Sequence, residues 1–548
     1  MSSQKSWFAR VTAHEKVEDY SLRYAPKTFR KWSPAIVASA GLGASAALFP
    51  FAISAVLSNQ LGSANALIGN LIAVLFCVLT GIPIAREIAK NNIDMDLLTR
   101  GAGFGYLGST LTSLIYATFT FIYFAFEGSI MGQGITGTFG VPIEISYVIV
   151  ALVIIPLVTF GMSFLAKFQA WTWPLWAALL AMPIAAVAVV GDHGVGSWLS
   201  YKGMGASAGA STHLISNVSI GLAAAALLSL LAQIGEQADY VRFMPDEGRD
   251  NAAAHRFWTF MSGPGWAIVF AVTYTLGSYV ASYTASHIGA KSNEPFQNFL
   301  YAYDLFLPHW LGTTFAFLLV VVAQAKINVT NAYSGSLSWS NFFSRVLHKH
   351  YGRFTWLLLQ VLIGLALMEA NVFKEMAALL GFYSNVAVSW IVAVFADLTI
   401  NRKMLGIGPS WVEFKRGHLY NFNPVGFGSM LIASAISIGT YFGMLGAELK
   451  PYAPFVAALV SFICVPLIAV LTKGKYYIKR MPSDGPVSAH VAPKHACAVC
   501  SDHFESPDLL DCPHHSGTVC SLCCTVESAC HDMCKSIPIV AAPLTAKP

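Results

Sequence analysis

From Trp32 to Ala85 the chain carries no charged side chain. A stretch of that length accommodates two membrane-spanning helices of about 20 residues each, and in lipid only helices or closed barrels satisfy every backbone N–H and C=O group. A barrel needs short alternating strands separated by turns, which these unbroken apolar runs are not. Composition carries the point through the whole chain: of 548 residues, 55% are hydrophobic and 11% charged, roughly half the charge of a soluble domain. The expected fold is an all-α polytopic membrane protein. Its apolar runs place twelve spans, near 33–58, 65–88, 104–134, 144–165, 168–190, 213–240, 262–287, 311–342, 354–371, 375–397, 424–446 and 453–472.

An even number of spans puts both termini on one side. Of the 33 lysines and arginines, 28 then share that side, four (Lys202, Lys291, Lys374 and Lys450) lie opposite, and Lys326 is left inside an apolar run. Lysine and arginine gather in cytoplasmic loops, so both termini are expected in the cytoplasm and the helices in the plasma (inner) membrane. The lipid bilayer is the partner this pattern implies, and a net charge of +5 needs no nucleic acid to explain it. The expected division is an N-terminal cytoplasmic segment at 1–31, a membrane domain at 32–472, a basic stop and linker at 473–494, a Cys/His-rich module at 495–535 and a tail at 536–548.

Polar and ionisable groups inside a span are costly in lipid and mark ligand or ion paths. In span one, Gly41, Gly43 and Pro50 weaken the helix and free backbone carbonyls at mid-membrane. Interrupted helices at matching places in two halves characterise secondary transporters built from inverted repeats. The polar run Gln233-Ile-Gly-Glu236-Gln237 in span six is the matching break expected here. In span three, Tyr123 and Glu127 are four apart, so they share one face and can clamp one ligand, the ring by stacking and the carboxylate by hydrogen bonds. Gln233 and Glu236 add polar groups from span six. In span eight, Asn328 and Asn331 share a face, while Lys326 lies about 200° round from Asn328. An asparagine amide offers both a donor and an acceptor, which suits the edge of a heterocycle with alternating N–H and C=O groups. Against these readings stand blander ones, in which the glycines serve close packing and the amides glue helices together. A lysine at a helix centre costs about 2.5–3.5 kcal/mol on insertion scales, so a partner acid is expected for Lys326.

Eight of the ten cysteines fall in 497–534: Cys497, Cys500, Cys512, Cys520, Cys523, Cys524, Cys530 and Cys534. Cys497-x2-Cys500 and Cys520-x2-Cys523, with nineteen residues between them, match zinc-ribbon spacing. The other four form a candidate second tetrathiolate, with His495, His503, His514, His515 and His531 as substitute ligands. A reducing cytoplasm disfavours a disulfide framework. Zinc is the expected cofactor of this tail and an iron–sulfur cluster the alternative; no organic cofactor is expected.

The membrane part, roughly 15–475, resembles the nucleobase:cation symporters of the purine/cytosine permease group. Three motifs carry the resemblance: Arg100-Gly-Ala-Gly-Phe-Gly-Tyr-Leu-Gly-Ser109, Gln237-Ala-Asp-Tyr-Val-Arg242 and Asn328-Val-Thr-Asn331-Ala-Tyr-Ser334. It implies the leucine-transporter fold, two inverted repeats of five helices plus two more, with the ligand between spans one, three, six and eight. It places the family's aromatic/amide pair on Tyr123 and Glu127, with an acid where the amide stands, and its asparagine-rich site on Asn328 and Asn331. The family's span-six aromatic falls near Gln233, where none stands. With Asn331 at the ligand-binding position, the sodium-coordinating hydroxyls fall near Ala325 and Lys326, so the lysine ammonium takes the place of sodium. The Cys-rich tail resembles the connectors of transporter-like bacterial sensor proteins.

The expected function is a symporter: secondary active transport of a nucleobase-like heterocycle (purine, cytosine or related). The coupling ion expected is a proton, with sodium as the alternative. Lys326, Gly41 and Gly43 are then the cation site, and Glu127 or Glu236 the proton carrier. The alternative function is a transporter-derived membrane receptor that binds such a ligand and signals through its tail to a separate partner. No enzyme activity is expected, because nothing in the sequence assembles a nucleophile, base and oxyanion site.

Overall fold

The computed structural model describes residues 22–159, 161–204, 214–247, 252–482 and 494–536. Most of the expected N-terminal segment, the second half of the linker and the tail beyond 536 lie outside the described residues. Among those described, eight helices are long and apolar enough to cross a bilayer, or nine if Ala252–Ser262 and Trp266–Asn293, bent by 47°, form one span. The difference from twelve lies in runs one, four and nine, whose helices are broken or only 17 residues long.

Run one forms α1 (Pro34–Gly43) and α2 (Phe49–Leu61), parted by a 3-10 turn at Ala44–Ala46. Pro50 lies in the first turn of α2, where its missing N–H has no intrahelical bond to lose. After them come α3 (Ser63–Asn91), α4 (Gly108–Phe139), α5 (Ile143–Thr159) and α6 (Gly161–Val189). Run six forms α7 (Asn217–Leu227) and α8 (Gln233–Val241) around a 3-10 segment at Leu228–Ala232. The break expected at Gln233–Gln237 therefore falls just before it. Glutamine and glutamate are good helix formers, so the polar run stays helical and the tightening falls on the residues preceding it.

The second half continues with α9 (Ala252–Ser262), α10 (Trp266–Ile288) and the short α11 (Pro295–Asp304), which lies between spans seven and eight. Then α12 (His309–Leu347) runs for 39 residues along α4 at the centre of the bundle. It is followed by α13 (Arg353–Glu369), α14 (Met376–Ala396), α15 (Ser429–Tyr441) and α16 (Ala453–Thr472). On α3 the exposed Leu71, Leu75 and Leu79 form an outward apolar stripe at four-residue spacing, a face suited to lipid.

The Cys-rich module carries the described strands: β1 (Lys494–Ala496) pairs with β2 (His503–Glu505), and β3 (Leu509–Cys512) with β4 (Gly517–Cys520), both antiparallel. A short helix, α17 (Ser521–Val526), follows. The apolar core is only Cys497, Leu509, Val519 and Cys520 with a few half-buried neighbours. That is too small to hold about 40 residues without a metal or crosslinks, and the cysteines are free of disulfides.

The module docks on the lysine- and arginine-rich end of the bundle. From the segment before α1, the Tyr24 hydroxyl donates to Glu505 (2.6 Å) and Arg23 pairs with Asp508 (2.9 Å). From the loop between α14 and α15, Lys415 Nζ donates to the Leu509 carbonyl (3.1 Å). Arg416 donates to the carbonyls of Cys524 (2.7 Å) and Glu527 (2.6 Å) and pairs with Asp532 (2.9 Å).

Candidate functional site

The breaks in runs one and six lie beside a partly open cavity at mid-bundle. Tyr123 and Glu127 line it from α4, Gln233 from α8 and Phe49 from α2, with Trp266 and Phe270 from α10. The four-residue spacing of Tyr123 and Glu127 thus delivers both to one opening, as helical phase requires. The Tyr123 ring packs against Phe49 (centroids 4.9 Å) and its hydroxyl hydrogen-bonds Ser229 (3.0 Å). That leaves the phenol fixed, with an aromatic partner beside the cavity.

Glu127 is held by Gln324 of α12, whose amide N–H donates to both its carboxylate (2.5 Å) and its backbone carbonyl (3.0 Å). The Gln324 carbonyl in turn accepts the backbone N–H of Leu48, in the gap between α1 and α2 (3.0 Å). One glutamine therefore joins the acid to the helix break. Glu236 sits one turn behind Gln233 and accepts a hydrogen bond from its amide. Among the described residues, neither acid has a cation within salt-bridge distance.

Gln237 closes the other side of the break. In the orientation that satisfies it, its amide donates to the carbonyls of Ser262 (2.8 Å) and Gly41 (3.3 Å) and accepts from Gln233 (3.3 Å). The Gly41 carbonyl is one of those that the interrupted helix frees. A Cβ on Gly41 would stand 2.8 Å from the Ser262 carbonyl oxygen, and one on Gly43 would stand 2.2 Å from the Gln169 side chain. Both glycines thus permit close approach at the broken span.

The asparagines of α12 divide. The Asn328 amide bridges to the α4 backbone, donating to the Phe124 carbonyl (3.3 Å) and accepting from the Gly128 N–H (3.1 Å). Asn331 is one turn on from Ile327, which lines the cavity, so the two share a helix face. Both ends of the buried Asn331 amide lack a hydrogen-bond partner among the described residues, as does the Trp266 indole N–H. Buried polar atoms are usually satisfied, so each such orphan calls for an explanation.

Lys326 points elsewhere. Its ammonium donates to the Gln169 carbonyl (2.9 Å) and the Thr172 hydroxyl (2.8 Å) of α6 and lies 5.2 Å from the centre of the Trp173 ring. The Gln169 side chain donates back to the Lys326 carbonyl (2.9 Å). The expected partner acid is not there: among the described residues no carboxylate lies within salt-bridge distance of this lysine. A carbonyl, a hydroxyl and an aromatic face take its place, the kind of ligand set that suits a lone cation.

The sequence reading did not single out Phe49, Trp266, Phe270, Gln324 or Gln169. Aromatics inside apolar runs carry no distinguishing pattern, whereas Gln324 and Gln169 are polar groups in or beside spans, a signal that was present.

In the module, Cys497, Cys500, Cys520 and Cys523 bring their sulfurs within 4.8 Å of one another. Backbone N–H groups of Val499 (3.4 Å) and Cys520 (3.3 Å) point at the Cys497 sulfur, and that of Cys523 at the Cys520 sulfur (3.4 Å). Such N–H···S bonds stabilise thiolate, and hydrogen bonds from Cys523 pull the Cys520 thiol below the usual cysteine range. Four closely set sulfurs with oriented amides fit a tetrahedral metal ion.

A family model for permeases of cytosine/purines, uracil, thiamine and allantoin matches residues 24–466. Among solved structures, Mhp1, a nucleobase-cation-symport-1 family transporter closed around bromovinylhydantoin, aligns with a TM-score of 0.62 at 13% identity, covering 84% of this chain and 99% of its own. Inward-facing Mhp1 gives 0.53 at 14% identity, covering 81% and 94%. A substrate-bound, outward-open Na+-coupled sialic acid symporter gives 0.57 at 12%, covering 84% and 93%. No curated protein matches the chain. At these identities the structures establish the shared leucine-transporter fold. The family match does more: this multi-pass membrane protein belongs to the permeases for cytosine/purines, uracil, thiamine and allantoin.

Proposed function

We propose that this chain is a secondary active transporter of a nucleobase-like heterocycle, coupled to protons and independent of sodium. It resides in the plasma membrane with both termini cytoplasmic. The observation that carries the proposal is the pairing of two sites across one helix break. A cavity offers a ring, an acid and an amide, and beside it a buried lysine sits in a cation's ligand set.

The base stacks against Tyr123, with Phe49 and Trp266 making good the aromatic that span six lacks. Glu127 and Gln233 take its polar edge. The orphaned donors and acceptor of Asn331 and Trp266 supply the hydrogen bonds that distinguish one base from another. Asn328 serves to hold α12 on α4.

Lys326 brings the charge that sodium would otherwise bring, tying α12 to α6 next to Gly43. Glu127 is the proton carrier best placed to couple, because Gln324 links it directly to the break that opens and closes the site. Glu236, behind Gln233, is the second. Zinc in the cluster of Cys497, Cys500, Cys520 and Cys523 holds the module folded. The receptor reading keeps one specific support, the module's direct bonds to the segment preceding α1, through which an occupied cavity can be sensed by a partner.

Purified protein reconstituted in liposomes, assayed for binding and for uptake of labelled purines and pyrimidines under sodium and pH gradients, separates the two. Accumulation is the expected outcome. Binding without accumulation under any gradient would sink the transporter reading in favour of the receptor.

A further inference from the structure

Four cysteines remain outside the first cluster. Cys512, Cys524, Cys530 and Cys534 line one pocket, together with His514 and His515. The local structure explains why they part from the first four. In the hairpin, Cys520 sits opposite Leu509 at one end of the ladder and Cys512 opposite Gly517 at the other, so the two strand ends serve different sites. Cys523 and Cys524 are adjacent on α17 and therefore project about 100° apart. Cys523 joins the first cluster, and Cys524 faces the second cavity.

The membrane domain contributes to this second cavity. Arg416, from the loop between α14 and α15, lines it. Its guanidinium grips the chain at Cys524 and on both sides of Cys530, through the Cys524 and Glu527 carbonyls and Asp532. Lys535, beside Cys534, donates to Asp532 (3.0 Å) and to Asn421 of the same membrane loop (2.6 Å). Arg480, which follows α16, donates to the carbonyl of Asp511 beside Cys512 (2.9 Å). One cation, Arg416, thus lines the cavity shared by the four thiols, and two more, Lys535 and Arg480, bond the chain next to Cys534 and Cys512; the four sulfurs are not yet within 4.8 Å of one another, as those of the first cluster are. A tetrathiolate site with a divalent ion carries an excess of two negative charges, which such cations offset.

We infer that Cys512, Cys524, Cys530 and Cys534 form a second metal site, for a thiophilic divalent cation such as zinc. Arg416 and Lys535 orient its ligands from the seam between module and membrane domain, so that occupancy of this site and docking of the module stabilise each other. The ligands of the two sites interleave along the chain, 497/500 and 520/523 for the first, 512 and 524/530/534 for the second. A metal draws the second four together and holds the turn at His531 (φ 45°) and Asp532 (φ 56°), two successive left-handed residues that are not glycine. Coupling runs both ways: whatever loosens Arg416 weakens the metal, and metal loss loosens the dock.

The proposal rests on the metal reading of the first cluster, and the test separates the two. Metal per chain is measured by mass spectrometry on the full-length protein purified anaerobically in detergent, with zinc release followed by a chromogenic chelator. Two ions per chain are expected, released in two phases. One ion should remain in a Cys530→Ser/Cys534→Ser variant and one in a Cys497→Ser/Cys500→Ser variant. Arg416→Gln should release one of the two ions roughly 10- to 100-fold more readily and leave the other unchanged. If the double variants fold poorly, biphasic release from the wild-type chain and its Arg416→Gln counterpart decides the matter. One ion per wild-type chain, with the number unchanged by Cys530→Ser/Cys534→Ser, overturns this site alone. Two ions released identically in wild type and Arg416→Gln overturn the coupling. No metal at all overturns both sites.

Discussion

The Cys-rich module and the central cavity bring their chemistry together in opposite ways. In the module, partners are close in sequence: two CxxC pairs, a short hairpin and a six-residue helix deliver four sulfurs to one point. In the cavity, each helix supplies at most a pair within four residues of each other, such as Tyr123 and Glu127 or Trp266 and Phe270, and the set is completed across α2, α4, α8, α10 and α12 by packing. A site made locally depends on its ligand for its fold, because it has almost no core of its own. A site made by packing is held by the bundle whether or not a ligand is bound.

The largest effect tests that contrast directly. Stripping metal from the module should unfold residues 494–536, since a structural zinc contributes about 10–16 kcal/mol in small metal-folded domains. Hydrogen exchange should rise throughout the module and stay unchanged in α4 and α12. Protection persisting in the module after complete metal removal would show that the module folds without its metal.

Acid should release the dock next. Burial opposes ionisation of Glu413, but the adjacent His418 and Lys415 charges overcome it and hold the carboxyl down at about 2. A depressed carboxylate stabilises the folded loop fully above its unfolded value near 4.3 and loses that contribution as pH falls through the folded value. The contribution is about 3 kcal/mol at most, so module docking should weaken between about pH 4 and 2. Glu413→Gln should flatten that dependence, as measured by limited proteolysis or hydrogen exchange of the docked surface.

In the cavity, Tyr123→Ala should cost about 2 kcal/mol of ligand binding, roughly 30-fold in Kd. Tyr123→Phe should cost far less, because it keeps the ring. Equilibrium binding of a labelled base to the purified protein measures both. Gly43→Ala should have the smallest effect, about 1 kcal/mol of stability, as the Gln169 side chain moves away from the new methyl. Because Gln169 also donates to the Lys326 carbonyl, a thermal-shift change accompanied by altered cation dependence would show that packing and coupling share this residue.

The same contrast explains what could be read in advance. The first cysteine cluster was legible because its spacing is its geometry. The spans were legible from apolar runs, and Tyr123, Glu127 and Gln233 stood out as polar groups within them. Phe49, Trp266 and Phe270 did not, since an aromatic in an apolar run is equally at home in lipid, in the core or against a ligand. The break in span six lies a turn before the polar run that suggests it, because polarity is not irregularity and Gln233 and Glu236 are comfortable in a helix. The acid sought for Lys326 was not needed: three N–H donors found a carbonyl, a hydroxyl and a ring face on α6, none of which is visible as a charge.

In the proposed mechanism a fixed lysine charge replaces sodium and protons drive uptake. The direct test is internal pH in sodium-free proteoliposomes, followed with an entrapped dye as a nucleobase is added outside. This mechanism entails uptake accompanied by internal acidification, unchanged when sodium is supplied and lost in Lys326→Met. Uptake that requires sodium and leaves the internal pH unmoved would contradict it.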